Sequence, residues 1–60
     1  MEKADLRRDE YRKLFEWYGF DVDWGYLLES YAEMPEYEWN GFMRSMSMIL
    51  ERKRKSHPVQ

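Results

Sequence analysis

Sixty residues with 10 Lys and Arg against 12 Asp and Glu, a net charge of −2, make one small domain. There is no room for a cofactor-binding unit joined to a substrate-binding one. Cysteine is absent, which excludes a disulfide framework, a zinc finger and a thiol nucleophile, and an aromatic content of 18% is too high for a disordered tail.

A domain of this length buries only about 60% of the surface its unfolded chain exposes, so small scaffolds lean on staples. With no cysteine and a single histidine, two sources of stability remain: an aromatic-rich core and self-association. A buried aromatic removes roughly 150–250 Å² from water. Three Trp, five Tyr and three Phe exceed what one small core hides, so some are expected at an interface with a second copy or another protein. The opening stretch MEKADLRRDEYRK lacks the apolar core of a secretory signal. No apolar run approaches the ~20 residues of a membrane span. The expectation is a cytoplasmic protein with no membrane role.

In chain order, residues 2–18 read as a helix, uninterrupted by Gly or Pro and rich in Leu, Arg, Lys and Glu. Ala4, Tyr11, Leu14, Phe15 and Tyr18 share one face, and Leu6 and Trp17 are expected to widen it. Asp9 precedes Lys13 by one turn, a stabilising order of charges. Gly19 stands where a left-handed residue ends a helix, and Phe20 is placed to fold back on the last turn.

Residues 20–23 form a connector in which Asp23 suits an N-cap. Trp24, Leu27, Leu28 and Tyr31 then carry the stripe of a short helix over 24–33, with Gly25 weakening its first turn. Met34-Pro35 ends it, and Pro35 fits the first position of a third helix running from about 36 to about 55. Glu36 and Glu38 near its start, and Arg52, Lys53, Arg54 and Lys55 near its end, suit the helix dipole. Trp39, Phe42, Met43, Met46, Ile49 and Leu50 fall in one sector of about 120° and predict its core face. Tyr37 and Met48 point the other way, with Arg44, Glu51 and Lys55. Pro58 lies past the helix, in a tail over 57–60 expected to be disordered. The fold class expected is all-α, a single domain over 1–56, with two long helices and a short one packed as a helical hairpin or a three-helix bundle.

Charge is unevenly spread along the chain. All basic residues lie outside 14–43, whereas Glu16, Asp21, Asp23, Glu29, Glu33, Glu36 and Glu38 lie inside, with every aromatic except Tyr11. In a hairpin the acidic middle would occupy one end of the molecule and both termini the other. Such segregation creates fields of several kT that steer a basic partner. The bland alternative is that acids between core aromatics keep the surface soluble. Tyr37 and Met48 are three turns apart on a nominally polar face, with Gly41 and Arg44 between them, a stripe another helix could approach. Among the methionines, Met43 and Met46 suit core filling and Met48 the outside.

Several chemistries find no support. His57 stands alone beside Pro58, without an orienting neighbour for general-base work or for activating Ser30, Ser45, Ser47 or Ser56. Gly19, Gly25 and Gly41 are too dispersed for a phosphate loop. The segment Asp21-Val22-Asp23 starts like a calcium loop, but Gly25, Tyr26 and Ala32 stand where that pattern wants an oxygen ligand, a glycine and a glutamate. No metal, cofactor or enzymatic activity is expected.

The function expected is a small non-enzymatic protein-binding module, an adaptor or inhibitor, whose size also suits a host-directed protein of a virus or phage. It would occlude a basic site on its target through Trp17, Trp24, Tyr26, Glu29, Glu33, Glu36, Tyr37, Glu38, Arg44 and Met48, with Trp and Tyr as anchors. Association into a homodimer is also expected. The alternative is a nucleic-acid-binding regulator using Arg52, Lys53, Arg54 and Lys55 on phosphates, joined by Arg7, Arg8, Arg12 and Lys13 if the long helices lie side by side.

Overall fold

A computed structural model describes residues 2–56, so the tail expected over 57–60 lies outside the described residues. The described chain is all-α, with two long helices joined through a short 3₁₀ turn. Helix α1 spans Lys3–Tyr18 and helix α2 spans Glu36–Ser56.

Helix α1 ends as its sequence demands. Gly19 adopts a left-handed φ of 81°; its N–H donates to the Glu16 carbonyl and the Phe20 N–H to the Phe15 carbonyl. These paired bonds satisfy two of the carbonyls a helix end leaves open. Phe20 turns back against the core. The chain then enters the connector, where the Asp23 carboxylate accepts the Gly25 N–H at 2.9 Å and caps the single 3₁₀ turn Trp24–Tyr26.

The α-helix expected over 24–33 does not form. Beyond Tyr26 the chain makes separate turns, closed by Tyr31 N–H to Leu28 carbonyl and Glu33 N–H to Ser30 carbonyl. Gly25 and Pro35 bracket a segment too short to gain from helix propagation, and tertiary partners take its backbone groups instead. The apolar stripe splits accordingly: Leu27 and Tyr31 pack on the core while Leu28 is exposed. Pro35 stands just before α2, not inside it, and its carbonyl accepts the Trp39 N–H at 3.0 Å.

The order of contacts sets the direction of the helices. Arg7 and Glu10 meet Trp39, Tyr11 meets Phe42, and Tyr18 meets Ser47 and Arg54. Positions rise together along both helices, so α1 and α2 lie side by side in the same sense. The connector makes the return pass: Phe20 lies by Lys53, Asp23 and Trp24 by Tyr11, and Tyr31 and Met34 by Arg7. The side-by-side helix pair of the hairpin and the three-layer order of the bundle are thus both present, with the middle layer largely irregular.

The core is Tyr11, Phe15, Met34, Trp39, Met46 and Leu50, flanked by partly buried Leu14, Tyr18, Phe42 and Met43. Three apolar residues expected on core faces are not there. Leu6 and Trp17 lie exposed on the side of α1 away from the connector, and Ile49 sits at the edge of its sector beside exposed Ser45 and Arg52. The reason is common to all three: two helices and one connector cover only part of each helix's circumference.

Arg7 holds the layers together. It is 5% exposed, and its Nη1 donates to the Tyr31 carbonyl at 2.6 Å and the Met34 carbonyl at 2.8 Å. Its guanidinium also lies over the Trp39 ring, 5.0 Å from the centroid. Replacing Arg7 with Met leaves both carbonyls without this donor, and buried unsatisfied acceptors of this kind cost about 1–3 kcal/mol each. Arg7→Met should therefore unfold in urea at a clearly lower midpoint than the parent. Arg7→Lys should recover only part of the loss, because an ammonium lacks the planar fork and the stacking face.

Candidate partner-binding surface

The parallel sense of the helices decides where the charged residues go. Both helix N-termini lie at one end of the molecule and both C-termini at the other. Expecting the acidic middle at one end and both chain ends at the other is therefore incorrect, since the connector's return pass separates the start of α1 from the end of α2. The end holding both N-termini carries Asp5, Glu36 and Glu38 in the first helical turns. The end holding both C-termini carries Lys53, Arg54 and Lys55, while the last turn of α1 has no basic residue of its own. Lys53 and Arg54 reach across to it: the Lys53 ammonium lies 5.6 Å from the Phe20 centroid and the Arg54 guanidinium 5.0 Å from that of Tyr18. One basic run thus faces the negative ends of two helix dipoles.

The ten residues expected to form a binding surface do not form one patch. Trp24, Tyr26, Glu29 and Glu33 come from the connector, with Trp24 against the middle of α1, and Glu36, Tyr37 and Glu38 come from the first turn of α2, at the acidic end. Trp17 stands near the far end of α1, and Arg44 and Met48 lie midway along α2. All ten are exposed. Trp24 stacks on Tyr11 with centroids 5.5 Å apart and carries the Arg8 guanidinium 4.7 Å above its ring. Tyr26 and Leu28, further along the connector, are each about half exposed. Among the described residues, no ion pair involves Glu29, Glu33, Glu36 or Glu38.

The basic residues proposed for phosphate contact do not converge either. The two long helices do lie side by side, but Arg7 is buried under the connector and Arg8 covers Trp24. Arg12 and Lys13 pair with Asp9, and Arg12 also with Glu16 at 3.1 Å. Hydrogen bonds from Lys13 and Arg12 hold the Asp9 carboxyl below its ordinary range. Arg54 and Lys55 pair with Glu51 at 3.2 and 4.0 Å. Arg52 is left facing solvent. The parallel arrangement places Arg7 and Arg8 at the end away from the 52–55 run.

Two polar roles were not legible beforehand. The Trp39 indole N–H, buried in the core, donates to the Glu10 carboxylate at 2.8 Å. Tyr11 is fully buried, and its hydroxyl donates to the Asp23 carbonyl, tying the connector to the middle of α1. Both residues look ordinary on a helical wheel, and a buried indole's need for an acceptor is the one clue that leads to Glu10. Among the described residues no group of His, Asp or Glu is arranged to hold a metal ion, and no helix is long and apolar enough to cross a membrane. Comparison with family models, curated proteins and solved structures returns no match.

Burial, with smaller contributions from Asp23 and Tyr26, pushes the Tyr11 hydroxyl from 10.0 up to about 12. A pKa raised by folding gives stability that is complete below the unfolded value and is lost as pH climbs towards the folded one. Thermal melts should therefore fall steeply between pH 10 and about 12. Tyr11→Phe, less stable at neutral pH for want of the Asp23 bond, should show a shallower fall over the same range. An equal slope in both proteins would place the alkaline transition elsewhere.

Proposed function

We propose that this protein is a non-enzymatic binding module that docks its acidic, aromatic end on a basic site of another protein and occludes it. One observation carries the reading. The connector exposes Trp24, Tyr26 and Leu28 together with Glu29 and Glu33, and α2 opens on exposed Glu36 and Glu38; these four carboxylates have no ion-pair partner among the described residues. Dipole compensation accounts for Glu36 and Glu38 at the start of α2. It does not account for Glu29 and Glu33, nor for three large apolar groups exposed on the same connector.

Aromatic side chains supply contact area at low entropic cost, and Tyr and Trp are the frequent anchors of interfaces. The carboxylates supply steering and choice of partner more than raw affinity. Trp24 is already held against Tyr11 and Arg8, so it presents a rigid plate that needs little ordering on binding. In this reading the protein acts in the cytoplasm, and its size suits a host-directed inhibitor from a virus or phage. The nucleic-acid alternative is less well supported, because Lys53, Arg54 and Lys55 are engaged within the fold.

Affinity capture from nuclease-treated lysate of the native host, followed by titration with the captured protein, tests the reading. Glu29, Glu33, Glu36 and Glu38 changed together to Gln should slow association and flatten its salt dependence. Tyr26→Ala should weaken binding by about 2 kcal/mol, the size of an interface hot spot, while circular dichroism stays helical. A captured protein indifferent to both changes binds elsewhere, and the reading is then wrong. Nucleic acid alone, recovered when nuclease is omitted, points to the basic end instead.

A further inference from the structure

The connector covers one face of the α1–α2 pair and leaves the opposite face bare. At about 100° per residue, Leu6, Lys13 and Trp17 form one stripe on α1, and Tyr37, Gly41, Arg44 and Met48 form another on α2. The connector reaches α1 at Arg8 and Tyr11 and α2 at Lys53, on the other side of each wheel. Each stripe reaches the seam between the helices at one residue, Leu6 on α1 and Met48 on α2. Leu6 lines a shallow groove of about 200 Å³ with Glu36 and Trp39, and Met48 lines one of about 400 Å³ with Tyr18 and Glu51. Trp17, Tyr37 and Met48, at 78%, 74% and 59%, are the most exposed large apolar side chains of the described chain, and all belong to this face.

We propose that this face pairs with a second copy of the same chain, in an antiparallel two-fold dimer of four helices. Size permits it: the molecule measures 40 × 19 × 16 Å, so its broad face has about the 800 Å² per partner that specific interfaces use. Charge selects the partner and its orientation. The seam ends in an acidic region around Glu36 and Glu38 and, at the other extreme, in a basic one around Arg52 and Lys55. A two-fold axis lying in the face and crossing the helices sets acidic end over basic end twice. The same operation opposes the dipoles of parallel helices in one copy with those of the other. Stacking two copies in the same sense would instead align all four dipoles and appose like charges.

The two-fold also brings α2 of each copy over α2 of the other. A Cβ added at Gly41 would meet nothing within 4 Å, so an open notch lies on the stripe two turns from Met48. A crossing point midway between these positions seats Met48 of one copy in the Gly41 notch of the other. Arg44, near that crossing, is exposed and long enough to carry its guanidinium out of the seam to water. The surface proposed for target binding is centred on the connector and shares only Glu36 and Glu38 with this face, so Met48 and Trp17, which lie outside it, test the dimer separately.

Sedimentation equilibrium on the full chain tests the proposal. The parent should approach twice 7.5 kDa with rising concentration. Met48→Glu and Trp17→Ser, both at exposed positions, should each keep the helical circular dichroism and weaken dimerisation about tenfold or more. Raising the salt should weaken the parent dimer, because unlike ends are apposed. A parent that stays at 7.5 kDa into the millimolar range overturns the proposal. So does a dimer indifferent to both substitutions, and one that tightens with salt shows like ends together and overturns the antiparallel arrangement.

Discussion

The fold depends on how one buried guanidinium is satisfied. A connector of turns leaves carbonyls that no helix ladder takes up, and in a protein this small there is little bulk to hide them. Arg7 answers two of them, those of Tyr31 and Met34, and stacks on Trp39 of α2 at the same time. One side chain on α1 therefore touches both other layers. Tyr11, one turn further on, repeats the device at Asp23. Together they hold the return pass of the chain against α1, and the return pass is what allows α2 to start beside the beginning of α1.

That topology has an electrostatic consequence. Two helices running in the same sense put like dipole ends together, an arrangement that needs compensation. The molecule supplies it unequally. At the N-terminal end acids sit in the first turns of both helices. At the C-terminal end α1 contributes no cation, and Lys53 and Arg54 of α2 cover Tyr18 and Phe20 instead. The uneven charge along the chain is thus first a requirement of the fold. What remains after that requirement is met, Glu29 and Glu33 on the same connector as exposed Trp24, Tyr26 and Leu28, is the part that points to a partner.

Much of this was legible in the residues. Periodicity placed both long helices, Gly19 and Phe20 marked the close of α1, Asp23 marked a cap, and the outward position of Met48 followed from the wheel. The direction of packing was not legible, because it depends on the connector's length and on what binds its carbonyls, and neither leaves a periodic trace. Arg7 shows why. It lies on the same wheel sector as Leu14 and Tyr18, yet a charged side chain there reads as solvated until two carbonyls and an indole are seen around it. Reading Leu6 and Trp17 as core followed from the same gap: a wheel gives a face but not what covers it. The candidate site was legible in its residue types and not in its grouping, since a parallel pair sends Trp17 and Trp24 to different faces.

Proton–proton contacts measured by nuclear magnetic resonance on the full chain test the parallel sense of the helices most directly. The Trp39 ring should show contacts to Arg7 and Glu10, and the Tyr18 ring to Ser47 and Arg54, positions that rise together along the two helices. Contacts running in the opposite order, with the start of α1 against the end of α2, would contradict the account. The end charges, the bare face and the connector patch would then all have to be placed anew.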